Sequence, residues 1–260
     1  MKKNCFLLLL LVALVSCNTS PNVPEVKNHA TLVQVSVIDA LMQGFYDGFY
    51  SLGELKKQGD FGIGTFHALD GEMMLFNDTV FQIQASGEVK IPNDSMLTPF
   101  AAVSPLIVDK TLSLSAFSFE QLKLGFDSLF PTPNIFYLVK ISGDFSYVRT
   151  RSVPAQERPY LPLVEVTVNQ PEFEFWNVKG DIIGFYCPSY AQGINVVGLH
   201  LHFLNNIRTG GGHLIEFELN KGTLEIGYLL DYRLILPNGG DFYGGDFTVD
   251  RTNDIKDVEG

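Results

Sequence analysis

The chain has 260 residues, 46% of them hydrophobic and 12% aromatic, with a formal net charge of −11 at neutral pH. That length allows one large domain or two small ones, with enough apolar material for a sizeable core. The acidic balance speaks against nucleic acid and bare anionic lipid as partners.

Lys2 and Lys3 precede an apolar run from Phe6 to Val15, followed by Ser16 and Cys17. A charged start, a short apolar run and a small residue describe a secretory signal. The run is shorter than the roughly 20 residues that span a bilayer. Leu14-Val-Ser-Cys17 resembles a bacterial lipoprotein signal, which implies cleavage before Cys17 and a lipid anchor on it. The mature chain then keeps 16 basic and 29 acidic residues, a net charge of −13. Cys5 leaves with the leader and Cys17 is acylated, so Cys187 has no thiol left to pair with. Residues 17–30, polar with Pro21 and Pro24, read as a flexible tether.

Leu32 to Met42 reads as a short strand followed by a helix. Ser51-Leu-Gly-Glu54 is a capping-box pattern, and Gly59 suits a helix end, which predicts two turns from Ser51 to Gln58. The glycines of Gly59 to Phe66 alternate, as in a strand that another backbone approaches closely. Asp70-Gly71 then makes a turn that delivers Glu72 to a strand ending at Phe76. Asn77-Asp78 predicts a hairpin with Val80 to Ala85 returning, and Phe100 to Val103 one further strand. Ser118 to Gln121 repeats the capping box ahead of a helix ending near Phe130.

In the second half, Ile135 to Ile141 and Phe145 to Ser152 read as a hairpin turning at Ser142-Gly143-Asp144. Its second strand carries Arg149 and Arg151 on one face. Leu163 to Val168 fits strand or helix. Phe173 to Trp176, Ile182 to Tyr186, Gly198 to Phe203 and Leu214 to Leu219 read as strands, and Leu224 to Leu236 adds one or two more. Asn238 to Gly260 is rich in Gly and Asp and reads as an irregular tail. The expected class is α+β, with mixed or antiparallel sheets and few helices.

Three of the five histidines fall between Gly198 and Leu214. On a strand His200 and His202 point one way, and Leu199, Leu201 and Phe203 the other. If 202 faces 213 across an antiparallel return, the three imidazoles converge, because opposed Cβ atoms lie about 4.5–5.5 Å apart. Three neutral imidazoles with one position open suit catalytic zinc. The plainer reading is a hairpin with incidental histidines. A cupin needs a glutamate where Asn205 and Asn206 stand. No dinucleotide fingerprint, P-loop or Schiff-base lysine points to an organic cofactor.

Three blocks together resemble bacterial α-acetolactate decarboxylases: Gly59 to Glu72, Val148 to Pro154, and the stretch from Gly180 through Gly193-Ile-Asn-Val to His213, with Gln170 to Phe175 beside them. The resemblance covers nearly the whole mature chain. It implies zinc-dependent conversion of 2-acetolactate to acetoin and carbon dioxide through an enediolate, by a homodimer whose subunits have two sheet domains, here 31–140 and 141–237, with the metal site on the second and a tail at 238–260. It places the zinc on His200, His202 and His213, and catalytic roles on Thr65, Glu72, Arg151 and Glu259. The last requires the tail to fold back on the site. Either glutamate suits the proton donor. A zinc hydrolase using the same histidines, or an exported lipoprotein that only binds metal or a small acid, are the alternatives. The leader and Cys17 imply an exported protein held to a membrane of the cell envelope by its lipid alone.

Overall fold

The computed structural model describes residues 29–259. The expected leader, Cys17 and the tether through residue 28 lie outside the described residues. The first half holds β1 (Ala30–Val35), α1 (Ile38–Met42), β2 (Tyr50–Ser51), α2 (Leu52–Lys56), β3 (Phe61–Thr65), β4 (Glu72–Phe76), β5 (Thr79–Ile83), β6 (Val89–Lys90), β7 (Leu97–Thr98), β8 (Ala101–Ser104) and β9 (Lys110–Ser118). Then follow α3 (Phe119–Leu124), α4 (Phe126–Leu129), β10 (Phe136–Arg151), α5 (Leu163–Val166), β11 (Glu172–Cys187), β12 (Gly198–Asn205), β13 (Gly211–Ile235) and α6 (Thr252–Glu259). The fold is α+β: one large mixed sheet of eleven strands, a two-stranded sheet of β2 and β7, and short helices.

The 25-residue β13 is the spine. Its first part pairs with β12 and β10, its middle with β9, and its end runs parallel to β1. Strands β10, β11, β12 and β13 pair in a closed ring. Tyr137, Val139, Phe145, Phe203 and Phe217 pack in one buried apolar cluster with its strands. From β1 the sheet continues through β8, β3, β4, β5 and β6.

Local signals account for much of this. Ser51 Oγ accepts from the Glu54 amide and starts α2 as expected. Asn77 and Asp78 both take positive φ between β4 and β5, as a tight hairpin turn requires. At Gly62 a Cβ would meet a Val103 methyl at 2.5 Å, and at Gly64 the Phe100 carbonyl at 2.4 Å, so the alternating glycines admit β8. The expected helix to Phe130 breaks at Gly125 into α3 and α4, glycine being a poor helix-interior residue. Leu163 to Val166 is helical, and β9 was absent from the sequence reading.

Three expected strand breaks are not there. Ser142-Gly143-Asp144 is no turn: β10 runs unbroken from Phe136 to Arg151. The segments Phe173 to Trp176 and Ile182 to Tyr186 are likewise one strand, β11, and Leu214 to Leu219 continues into Leu224 to Ile235 as β13. The reason is a row of glycines across the ring. Gly143 stands opposite Gly180 on one side and Gly222 on the other. A Cβ on Gly143 would lie 2.4 Å from the Lys221 carbonyl. The glycines let three long strands approach closely as the sheet curls, rather than ending any of them. The expected irregular tail is also corrected: Thr252–Glu259 is helix α6, pinned by Ile255 and Val258 in a buried cluster with Ile38, Leu41, Leu163 and Val196.

Candidate metal centre

The period-two pattern of β12 sends His200 and His202 to one face, and the register sets His202 opposite His213 on β13. One nitrogen from each of the three rings falls within 4.8 Å of the others, and all three side chains are buried. The imidazole Nδ1–H of His202 donates to the Met73 carbonyl at 2.9 Å. That bond settles the tautomer and leaves Nε2 with its lone pair, buried and without a hydrogen-bond partner. Burial holds all three imidazoles below their ordinary range, His200 at about 3, with the Arg151 guanidinium adding to the effect. They are therefore neutral at physiological pH, the state a metal ligand needs. Three neutral, converging imidazoles, one with an orphaned buried lone pair, fit a divalent metal.

Two carboxyls face this group. Glu72, at the start of β4, brings Oε2 to 3.4 Å from His202 Nε2. Glu259, on the last turn of α6, brings Oε2 to 3.5 Å from His200 Nε2 and 3.6 Å from His213 Nδ1. These gaps exceed an ordinary hydrogen bond, and Glu259 Oε2 has no hydrogen-bond partner. Burial pushes Glu72 up to about 8, with repulsion from Glu259 adding and Arg151 opposing. Burial likewise pushes Glu259 up to about 7, again against Arg151. Glu72 thus stays mostly protonated near neutrality and Glu259 about half so, and a bound cation would draw both down.

Arg151 lies at the end of β10, where Arg151 pairs with His213 in register. Its guanidinium donates to the Val258 carbonyl, tying α6 to the site. Arg149, two residues before it, pairs with Glu172 and Glu216 at the sheet surface, as suits an arginine outside the site. A register shift between Arg149 and Thr150 separates the two environments. The Thr65 hydroxyl donates to the Gly71 carbonyl at 2.8 Å and so braces the turn that carries Glu72. All seven expected site residues therefore line one pocket.

Other contributors carried no local signal. Leu41, Leu69, Phe100, Val153, Leu163 and Val258 supply apolar wall. Gln82, almost fully buried, donates to the Asp70 carbonyl at 2.7 Å and its carboxylate at 2.9 Å, fixing the same turn from β5. A buried polar residue in an apolar strand is the one hint the sequence held.

Comparison with known proteins agrees with this geometry. A family model described as alpha-acetolactate decarboxylase matches residues 32–249. The chain is 41% identical to an alpha-acetolactate decarboxylase of Methanosarcina mazei over 240 residues, covering 91% of this chain and 83% of that protein. It is 40% identical to that of Brevibacillus brevis, covering 91% and 82%. The crystal structure of alpha-acetolactate decarboxylase from Bacillus subtilis strain 168 superposes with a TM-score of 0.86 at 38% identity, over 88% of this chain and 99% of that one.

Proposed function

The chain belongs to the alpha-acetolactate decarboxylase family, and from that premise we propose how its own residues carry the reaction. The enzyme is a carbon–carbon lyase that releases carbon dioxide from 2-acetolactate and forms acetoin. The observation that carries the reading is three converging, buried imidazoles with two buried carboxyls and a guanidinium around them.

His200, His202 and His213 hold the metal, and zinc is the ion their chemistry suits best. When bound, the ion supplies a Lewis acid for the charge that develops as the carboxylate leaves. Arg151 offers a forked set of donors to the anionic substrate, and its bond to the Val258 carbonyl sets its direction. As the carbon–carbon bond breaks, the electron pair stays on carbon and must take up a proton. Glu72 or Glu259 is placed to donate it, since both carboxyls face the histidines in a buried site that raises them above the ordinary carboxylate range. Thr65 acts through the Glu72 turn. The apolar wall keeps water from competing.

The expected division into 31–140 and 141–237 is kept as two sheet regions joined through β1 and β13, with its boundary inside the unbroken β10 and one sheet running through both. Support comes from separate buried clusters, one around Leu52, Phe66 and Leu75 and one around Phe145, Phe203 and Phe217. The enzyme works as a homodimer exported to the cell envelope, with Cys17 carrying the lipid. Among the described residues no helix is long and apolar enough to cross a membrane.

The test is acetoin and carbon dioxide release from 2-acetolactate by protein lacking residues 1–17, with and without a chelator. Substrate returned unchanged by metal-loaded protein refutes the activity. Cys17→Ser should move the full chain from the membrane fraction to the soluble one, and an unchanged distribution would remove the anchor.

A further inference from the structure

The metal pocket itself is small, about 40 Å³. That is room on the order of three waters. A second cavity of about 550 Å³ adjoins it. Its origin lies in the pairing of β12 and β13, which share only three rungs: His202 with His213, Phe203 with Gly212 and Leu204 with Gly211. Past His213 the spine turns to β10, setting Leu214 opposite Thr150, while β12 stays with β11, setting Leu201 opposite Gly184. The two strands part. The cavity is lined by Leu199 and Leu201 of β12 and by Leu214 and Ile215 of β13, with α6 contributing Ile255 and Lys256. Two residues, His213 and Glu259, line both the cavity and the metal pocket.

Charge distinguishes this cavity from the rest of an acidic chain. Lys123 and Lys256 stand on its wall. Lys123 is paired with Glu120 at 3.0 Å. Lys256 is exposed, and none of the ion pairs among the described residues involves it. An apolar funnel with a cation at its rim and an acid at its inner end suits a small organic anion with alkyl substituents.

We propose that this cavity is the entry vestibule of the enzyme, through which a 2-hydroxy-3-oxo acid anion reaches the metal pocket, with Lys256 drawing it in and the Glu259–His213 wall as the inner gate. The inference rests on the decarboxylase reading above. Substrate passes between β12 and β13, and the Glu259 side chain turns aside to admit it. The last turn of α6 therefore separates a holding site from the reacting site.

The test uses full-chain, metal-loaded protein and 2-acetolactate. Ile215→Trp narrows the vestibule from its half-exposed wall, and kcat/KM should fall about tenfold with metal content and circular dichroism unchanged. Lys256→Glu should lower kcat/KM about three- to tenfold at low salt, the modest end of electrostatic steering, and leave kcat as it was. That deficit should shrink as salt is raised to about 0.5 M, where charges are screened within a few ångströms. Lys256→Gln should fall between. Wild-type kcat/KM in folded Ile215→Trp, or a Lys256→Glu value equal to wild type at every salt concentration, overturns the proposal. Should Ile215→Trp fail to fold, the Lys256 series decides alone. No acetoin from the wild-type protein would instead refute the activity itself, and the vestibule with it.

Discussion

Removing the metal should leave a protein whose stability peaks near pH 6.5 and falls on both sides. The native site holds His200 at about 3 and the other two imidazoles well below 6.5, whereas in the unfolded chain all three titrate near 6.5. It holds Glu72 at about 8 and Glu259 at about 7, against 4.5 unfolded. Between pH 4.5 and 6.5 the unfolded chain carries three imidazole protons that the native site refuses. The native site carries two carboxyl protons that the unfolded chain has lost. The unfolded state is ahead by one proton, so stability rises with pH, by about 1.4 kcal/mol per unit and about 3 kcal/mol across the window. Above pH 6.5 the imidazoles are neutral in both states. Only the native carboxyl protons remain, and stability falls by about 3 kcal/mol up to pH 8 as Glu259 and then Glu72 must ionise in place. Urea titrations of chelator-treated protein at half-unit steps measure this directly. Glu72→Gln with Glu259→Gln should abolish the fall above pH 6.5, and restoring the metal should lift the alkaline side most. A metal-free protein whose stability does not fall between pH 6.5 and 8 would refute the raised carboxyls, and one whose stability does not rise between pH 4.5 and 6.5 would refute the neutral histidines.

Each of His200→Ala, His202→Ala and His213→Ala should lose most bound metal and all turnover, and full metal occupancy by elemental analysis in any of them removes that ligand. Glu259→Gln should cut kcat at least 100-fold, the usual scale for losing a general acid, while unfolding temperature and metal content hold. Truncation after Asp257 should do the same and also cost about 2 kcal/mol in a urea melt, because it strips away the Val258 side chain, which is only 3% exposed. Gly184→Ala would place a methyl 2.0 Å from the His200 carbonyl, so it should destabilise by about 3 kcal/mol and weaken metal retention, both measurable on one preparation.

Much of the site was legible because it rests on short-range rules. Period two alone puts His200 and His202 together, and the glycine-rich return lets His213 face His202. The turn at Asp70-Gly71 delivers Glu72 because Gly71 takes φ +86°. Other features depend on neighbours far along the chain. Gly143, Gly180 and Gly222 each look like a break in isolation, and their meaning appears only when three strands lie side by side. Strand β9 alternates Leu112 and Leu114 with serine and threonine, a pattern weak enough to pass for loop. Helix α6 holds two buried apolar residues in eight, too short a stretch for a period to register, and what orders it is the cluster beneath it. Composition alone marked the tail as dispensable; only the family resemblance put Glu259 at the histidines.

Strand β1 has β8 on one side and the far end of β13 on the other. As the chain leaves the ribosome, residues 30 to 35 must wait for residues 229 to 235 to be made before their second neighbour exists. Until then Leu32 and Val35, fully buried in the finished protein, border an open sheet edge. Such an edge invites mispairing with other chains. The sheet is therefore completed only through a late-closing pairing between segments about 200 residues apart, the kind of long-range contact that slows a β-rich protein. The metal site waits on the same strand: His213 reaches His202 only once β13 has paired with β12.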